Sequence, residues 1–385
     1  MNIKILSLIA VLFCLGCSSN QDFEHKSKLL TDKVKVKIPI DNNTSFSPFT
    51  MQYLGEGNLD LLAVSNTYTN SIDLYDLNNR KLFKKISIND SNRQYLDNFH
   101  GFYFSDPNTL MVYKRMSIAS ILSISLNDNF EPTEKKTITA KNAYNGSTFL
   151  NHASMTASPS IYSDNKFHFT ILPLGMHERF GLDMEREPVE MIYDINMDSA
   201  YFYNVPWPEV YNTNNFESPT NISFRTKGHN NHFVYSWPAS DSLVVRKPNG
   251  KYMKVNAKSK YFDESPYYDN RSLKNGQNIS QLESNYYVKV LYDPFRKLYY
   301  RLGRIGLNNV GKMDNPTHYK QEITITILNE DFKIIDDVRL PGNQYLIKDT
   351  FIGKEGLYIS NHNAFNEDVS EDEMSFTILK VENEN

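Results

Sequence analysis

Cysteine is almost absent from this sequence. The 385 residues hold two, Cys14 and Cys17, both near the N-terminus. Everything beyond Cys17 lacks a thiol to pair, so no disulfide framework holds the chain and a packed apolar core must. Helical periodicity is missing as well: no long window repeats apolar residues at three- and four-residue spacing, and residues 183–190 are the one short helical candidate. The longest apolar run near the N-terminus, residues 5–15, is too short to cross a bilayer as a permanent helix. The formal net charge of −4 offers no basic surface for nucleic acid. The sequence has no G-x-S-x-G elbow, no phosphate-binding loop and no G-x-G-x-x-G turn. No Pro/Gly/Ser-rich linker interrupts the chain after Asp41, which excludes an obvious division into domains.

What is present is a repeated pattern of short strands. Hydrophobic residues make up 40% of the chain and aromatics 13%, a composition that folds rather than one that stays solvated. Residues 61–88, LLAVSNTYTNSIDLYDLNNRKLFKKISI, hold three apolar-rich runs separated by polar turns, and a fourth run at 49–54 precedes them. The same four-run unit returns at 99–139, 160–205, 221–255 and 286–340 without close sequence identity, which is the signature of a radial repeat. A sixth unit, with runs at 345–352, 356–360 and 374–381, ends one strand short. The missing strand is supplied by residues 33–40, KVKVKIPI, where lysine alternates with valine or isoleucine so that one face is apolar and the other charged. The fold expected is therefore all-β: a six-bladed β-propeller closed by an N-terminal strand that pairs with the last blade.

The N-terminus reads as an address. Lys4, the apolar run 5–15 and the pair Gly16-Cys17 follow the order of a secretory leader. Cys17 after Leu15-Gly16 resembles the lipobox of bacterial lipoproteins, in which this thiol is acylated, and Ser18 resembles an outer-membrane sorting residue. The expected division is a leader at 1–16, a polar tether at 17–32 and a single propeller domain at 33–385. The lipobox, the KVKVKIPI strand, the blades and the closing GLYISNHN…EDEMSFTILKVE together resemble the uncharacterised β-propeller lipoproteins of Bacteroidota-type bacteria. That resemblance covers nearly the whole chain and implies an exported, lipid-anchored propeller. It implies no activity.

Propeller topology predicts where a ligand would sit. First strands start, and second strands end, on one face of the ring, and the loops expected to be long, at 173–189, 303–321 and 361–373, fall on that face. The residues expected at this channel mouth are His100, Arg115, His152, His177, Arg179, Trp237, Arg301, Arg304 and His362. Guanidinium groups grip carboxylates in pairs and indoles stack on sugar faces, so the set suits a glycan or an acidic peptide. His100, His152 and His362 lack the close spacing of a metal motif, and no metal or other cofactor is expected. Asp97, Glu178, Asp183, Glu217 and Asp314 are carboxylates able to reach the same face. The favoured reading is a non-catalytic binding or scaffold module, held to the outer membrane through Cys17, for a glycan, a peptide or an envelope protein. The alternative is a glycan hydrolase or lyase using carboxylates or histidines at the mouth. The first is preferred because the face carries no motif with a catalytic spacing.

Overall fold

The computed structural model describes residues 30–46, 48, 50–55, 57–88, 99–114, 117–139, 151–152, 157–172, 188–213, 222–263, 273–274 and 277–381. They form six antiparallel sheets arranged as a six-bladed propeller. Blade one is β2 (Met51–Leu54), β3 (Leu61–Asn66), β4 (Ser71–Asp76) and β5 (Lys81–Ser87), paired in that order. Blade two is β6 (Phe99–Asp106), β7 (Thr109–Lys114), β8 (Ser117–Leu126) and β9 (Pro132–Thr139). In blade three the inner strand is split: β10 (Asn151–His152) and β11 (Ile161–Ser163) pair with opposite ends of β12 (Lys166–Leu172), followed by β13 (Glu190–Asp194) and β14 (Ser199–Tyr203). Blade four is β15 (Phe224–Lys227), β16 (Phe233–Ser236), β17 (Ser242–Arg246) and β18 (Tyr252–Asn256).

A small hairpin, β19 (Leu273–Lys274) and β20 (Gln277–Asn278), precedes blade five. That blade is β21 (Tyr286–Asp293), β22 (Leu298–Arg304), β23 (Ile323–Asn329) and β24 (Ile334–Leu340). Blade six is β25 (Leu346–Gly353), β26 (Gly356–Ser360) and β27 (Glu373–Val381), completed on its outer edge by β1 (Leu30–Pro39). The expected closure is thus present, with β1 antiparallel to β27 from Lys33↔Leu379 to Pro39↔Glu373.

Among the described residues helix is nearly absent. Residues 183–187 of the helical candidate lie outside the described residues and Glu190 opens a strand; two short helices are present elsewhere, α1 (Val210–Thr213) and α2 (Ile279–Glu283). Four or five residues make little more than one turn, too short for an apolar period to register.

The alternation of side chains along each strand explains why the strands read as continuous apolar runs. In β3, Leu61 and Ala63 face blade two, where they meet Phe102, Phe104 and Val112; Leu62 and Val64 face blade six, where they meet Ile38, Phe351 and Phe376. Every strand in the middle of a blade therefore feeds two cores, and both faces are buried. Six apolar cores result, one at each junction between neighbouring blades. β1 contributes to the core between blades six and one: Val36 and Ile38 are buried in it while Lys35 and Lys37 point to solvent.

Polar side chains clasp adjacent blades where apolar packing gives out. Gln52 of blade one donates to the Phe104 carbonyl at 3.0 Å and accepts from the Phe104 amide at 2.8 Å. Between blades three and four, buried Glu190 accepts from His168 (2.7 Å), Arg225 (2.8 Å), Tyr235 (2.7 Å) and Arg246 (3.2 Å). Burial alone would raise the Glu190 carboxyl, but the charge of Arg225 and the other partners outweighs it and the group is lowered to about 2. His168 is pushed below its ordinary value by burial, so it meets Glu190 as a neutral donor. Lys354 reaches from blade six to the Gly57 and Leu59 carbonyls of blade one.

Ile38 is fully buried opposite Met374. Ile38→Ala is expected to lower stability by about 2–4 kcal/mol, seen as a lower urea midpoint at constant slope. An unchanged midpoint would mean that the strand contributes nothing to the closing core.

Candidate functional site

The two faces of the ring are built differently. On the turn face, first strands pass to second strands, and third to fourth, through short connections such as Ser105–Asn108 and Pro294–Lys297. The opposite, insertion face carries the long connections of blades five and six. Residues 305–322 of blade five contain two single-turn segments, Val310–Lys312 and His318–Lys320. This insertion lies on α2: the Leu307 amide donates to the Leu282 carbonyl at 2.7 Å, and Gln321 bridges Leu282 and the hydroxyl of Tyr286. Its close approach depends on Gly306, where a Cβ would stand 2.0 Å from the Glu283 carbonyl oxygen. Residues 361–372 of blade six dock beside it, with Asn363 donating to the carbonyls of Tyr319 (2.8 Å) and Tyr345 (3.1 Å). The segment leading from β1 into blade one is pinned next to these by Asn66, Asp73, Thr44 and Asp41, and Lys85 binds both carboxylates.

The described side chains expected at the mouth are interior instead. Trp237 has no exposed surface and packs on Trp207 and Tyr235, so it is closed to a sugar. Arg301 is equally buried: it donates to the carbonyls of Ser240, Asp241 and Ala257 and to the Ser236 hydroxyl, with its guanidinium 3.3 Å from the Tyr287 ring centroid. It ties blade five to the turn ending β16. Arg304 donates to the His318 carbonyl and anchors the insertion. His362 accepts from the Ser375 amide at 3.0 Å and stacks on Phe46 at 4.9 Å. His100 and His152 lie on β6 and β10 at the insertion-face ends of those strands, their side chains outside the described residues, as are Arg115, His177, Arg179 and Cys17 entirely. Of the five candidate carboxylates, Asp314 alone is described, exposed on the blade-five insertion. No group of three or more His, Cys, Asp or Glu able to hold a metal occurs among the described residues.

What the structure does bring together is a basic corner between blades five and six. The inner strand β25 bulges there: Leu346 pairs with Ser360, but the next partner of β26 is Thr350. Buried Lys289 of β21 reaches across to this bulge and donates to the carbonyls of Lys348 (3.0 Å) and Thr350 (2.5 Å). Burial brings its ammonium down from 10.5 to about 7, with the neighbouring Asp349 carboxylate offsetting part of the loss. Lys348, on the same bulge, is exposed where an inner strand borders the channel. Arg304, at the end of β22, and His318, on the insertion, stand beside it. Surrounding protein atoms, and then the charges of Arg304 and Lys348, lower the His318 imidazole below its ordinary 6.5 although the ring reaches solvent, so it is neutral at pH 7. The corner can hold negative charge. A signal for it was present in the sequence: Lys289 interrupts the apolar strand YYVKVLYD, and Lys348-Asp349 interrupts LIKDTFIG.

Comparison with known proteins now decides the family. The profile described as "Domain of unknown function (DUF4221)" matches residues 26–337, most of the chain. The chain belongs to the DUF4221 family. Among solved structures, a DUF4221 family member from Bacteroides vulgatus is similar, with a TM-score of 0.78, 21% identity, and coverage of 92% of this chain and 98% of that one. A protein of Bacteroides fragilis is similar at a TM-score of 0.53 and 9% identity, with coverage of 92% and 98%. At these identities the likeness establishes the propeller fold and nothing further. No curated protein matches the sequence. The DUF4221 chain is thus a propeller of unknown function, and its chemistry must be read from its own residues.

Lys289 gives this corner a pH signature. Between pH 7 and 10.5 the unfolded chain binds the proton that the folded chain has released, so stability rises with pH through that window, while below pH 7 the penalty of burying the ammonium is fully present. In Lys289→Met the rise is expected to flatten when urea midpoints are compared from pH 6 to 10. Parallel profiles for the two proteins would show that Lys289 does not titrate there.

Proposed function

We propose that this DUF4221 chain is an exported binding module, anchored by lipid on Cys17 to the outer membrane, that takes an anionic ligand at the insertion-face mouth of its channel. The ligand class is a carboxylate-bearing glycan or peptide. One observation carries the ligand reading: Lys348 and Arg304 converge where the channel opens between blades five and six, beside a neutral His318 and above buried Lys289. Positive charge inside a low-dielectric cleft focuses the field and draws anions toward it. Arg304 is tied to the His318 carbonyl, and Lys289 holds the Lys348 carbonyl, which fixes the corner in place. Lys348 is exposed and supplies the adjustable contact.

The anchor reading rests on the order of Lys4, the apolar run 5–15, Gly16-Cys17 and Ser18. The described residues contain no helix long and apolar enough to cross a membrane, so attachment through such a helix is not offered by them. A lipid on Cys17 would hold the propeller at the surface while leaving its channel open to solvent.

Each half has its own test. Cys17→Ala is expected to move the protein from the membrane pellet to the supernatant, and continued sedimentation would overturn the anchor. For the ligand, retention on immobilised polygalacturonate should exceed retention on neutral dextran and weaken with salt. Lys348→Glu is expected to weaken the acidic interaction about tenfold, equivalent to about 1.4 kcal/mol. Equal retention of both proteins on both matrices would remove the anionic ligand from the account.

A further inference from the structure

The direction of β1 fixes where the chain enters the propeller. Glu373, at the start of β27, follows the blade-six insertion, and Val381 ends the strand at the turn face. Because β1 is antiparallel to it, Pro39 lies at the insertion face and Leu30, paired with Val381, lies at the turn face. Cys17 stands only thirteen residues before Leu30. Thirteen residues reach at most about 45 Å when fully extended. Running back along β1, whose ten residues rise about 33 Å, would use most of that length before the chain reached the other face.

The turn face also carries exposed apolar residues. Leu82, Phe83, Met197, Phe295, Ile334 and Ile335 are exposed at turn-face ends of strands or in turn-face connections. Tyr68 and Phe365 are exposed on the insertion face. Singly, such residues are ordinary on a protein surface. Leu82 and Phe83 belong to blade one, Met197 to blade three, and Phe295, Ile334 and Ile335 to blade five. Alternate blades of a six-membered ring give three separated points of support, which together define a plane. Exposed Lys81, Lys297 and Lys333 share this rim with exposed Asp128, Asp331 and Glu355, so the rim has no strong net charge and its contact is apolar.

We infer that the turn face is a membrane-resting face: its apolar rim on blades one, three and five lies in the interface of the bilayer that holds the chain's own lipid, so the insertion-face mouth points away from the membrane. This rests on the lipid anchor proposed above. A lipid chain and an apolar protein contact reinforce each other, because a single attachment holds only marginally whereas two add their free energies. The arrangement keeps Lys348 and the blade-five and blade-six insertions on the side open to a soluble ligand.

The test uses the acylated full chain, in which Cys17 is blocked, leaving any introduced cysteine as the only reactive thiol beyond the leader. Met197→Cys and Phe295→Cys on the turn face, and Tyr68→Cys on the insertion face, are each labelled with an environment-sensitive fluorophore. The proteins are reconstituted on vesicles of phosphatidylethanolamine and phosphatidylglycerol carrying brominated acyl chains. Quenching several-fold greater at positions 197 and 295 than at 68 is expected. Vesicle-bound protein with equal quenching at all three sites, or greater quenching at 68, would overturn the orientation and leave the anchor standing. Quenching at 197 and 295 lost in pure lipid but recovered as protection in native envelopes would assign the rim to a protein partner and so overturn the bilayer contact. Acylated protein that fails to bind vesicles at all would sink the anchor first and the orientation with it.

Discussion

The ladder between β1 and β27 is the constraint on which the rest of the structure depends. A propeller blade has two apolar faces, and each is satisfied only by a neighbour. In an open row of six blades the two end faces would remain wet. Here Val36 and Ile38 join Phe376 and Ile378 against Leu62, Val64 and Tyr75, and the first blade becomes the neighbour of the last. The same ladder covers the outer edge of β27 with a strand whose exposed face carries Lys35 and Lys37, a device that discourages further pairing. Closure also brings the segment after β1 across the insertion face, where Asp41, Thr44 and Phe46 lock against blade one and His362.

Once the ring is closed, buried cations finish the junctions. Arg301, Lys289 and Arg225 each cross from one blade to backbone carbonyls of the next. A buried cation left without partners would be strongly destabilising, so each of these groups is met by carbonyls of the neighbouring blade. Glu190 answers two arginines, a tyrosine and a neutral histidine at a single junction. The consequence for function is direct. Most of the striking basic and aromatic residues serve closure, and the electropositive mouth arises at the junction of blades five and six, where Lys348 is left exposed beside such a clasp.

The architecture was legible because it is written in repetition. Four short strands per unit, tight polar turns, and an orphan amphipathic strand opposite an incomplete last unit leave few topologies open. The site was far less legible. Sequence places Arg301 and Trp237 near a strand end, but a residue near a strand end can point into a blade junction or out of it, and that depends on which way each blade is twisted against the next. Arg301 and Trp237 turn inward; Lys348 turns outward because a bulge of β25 displaces the alternation. Bulges leave no dependable mark in a single sequence. The cue available was chemical: a lysine in an otherwise apolar strand, as at Lys289, must either find carbonyls or mark a cavity.

The account stands or falls on whether the N-terminal strand is part of the cooperative ring. Amide hydrogen exchange followed by peptide mass spectrometry on the intact protein addresses this most directly, comparing residues 33–39 with residues 373–381. Joint, slow exchange of both segments at the rate of the blade centres is the predicted result. Rapid exchange of 33–39 while 373–381 stays protected would show that the ring is held shut by something other than this ladder.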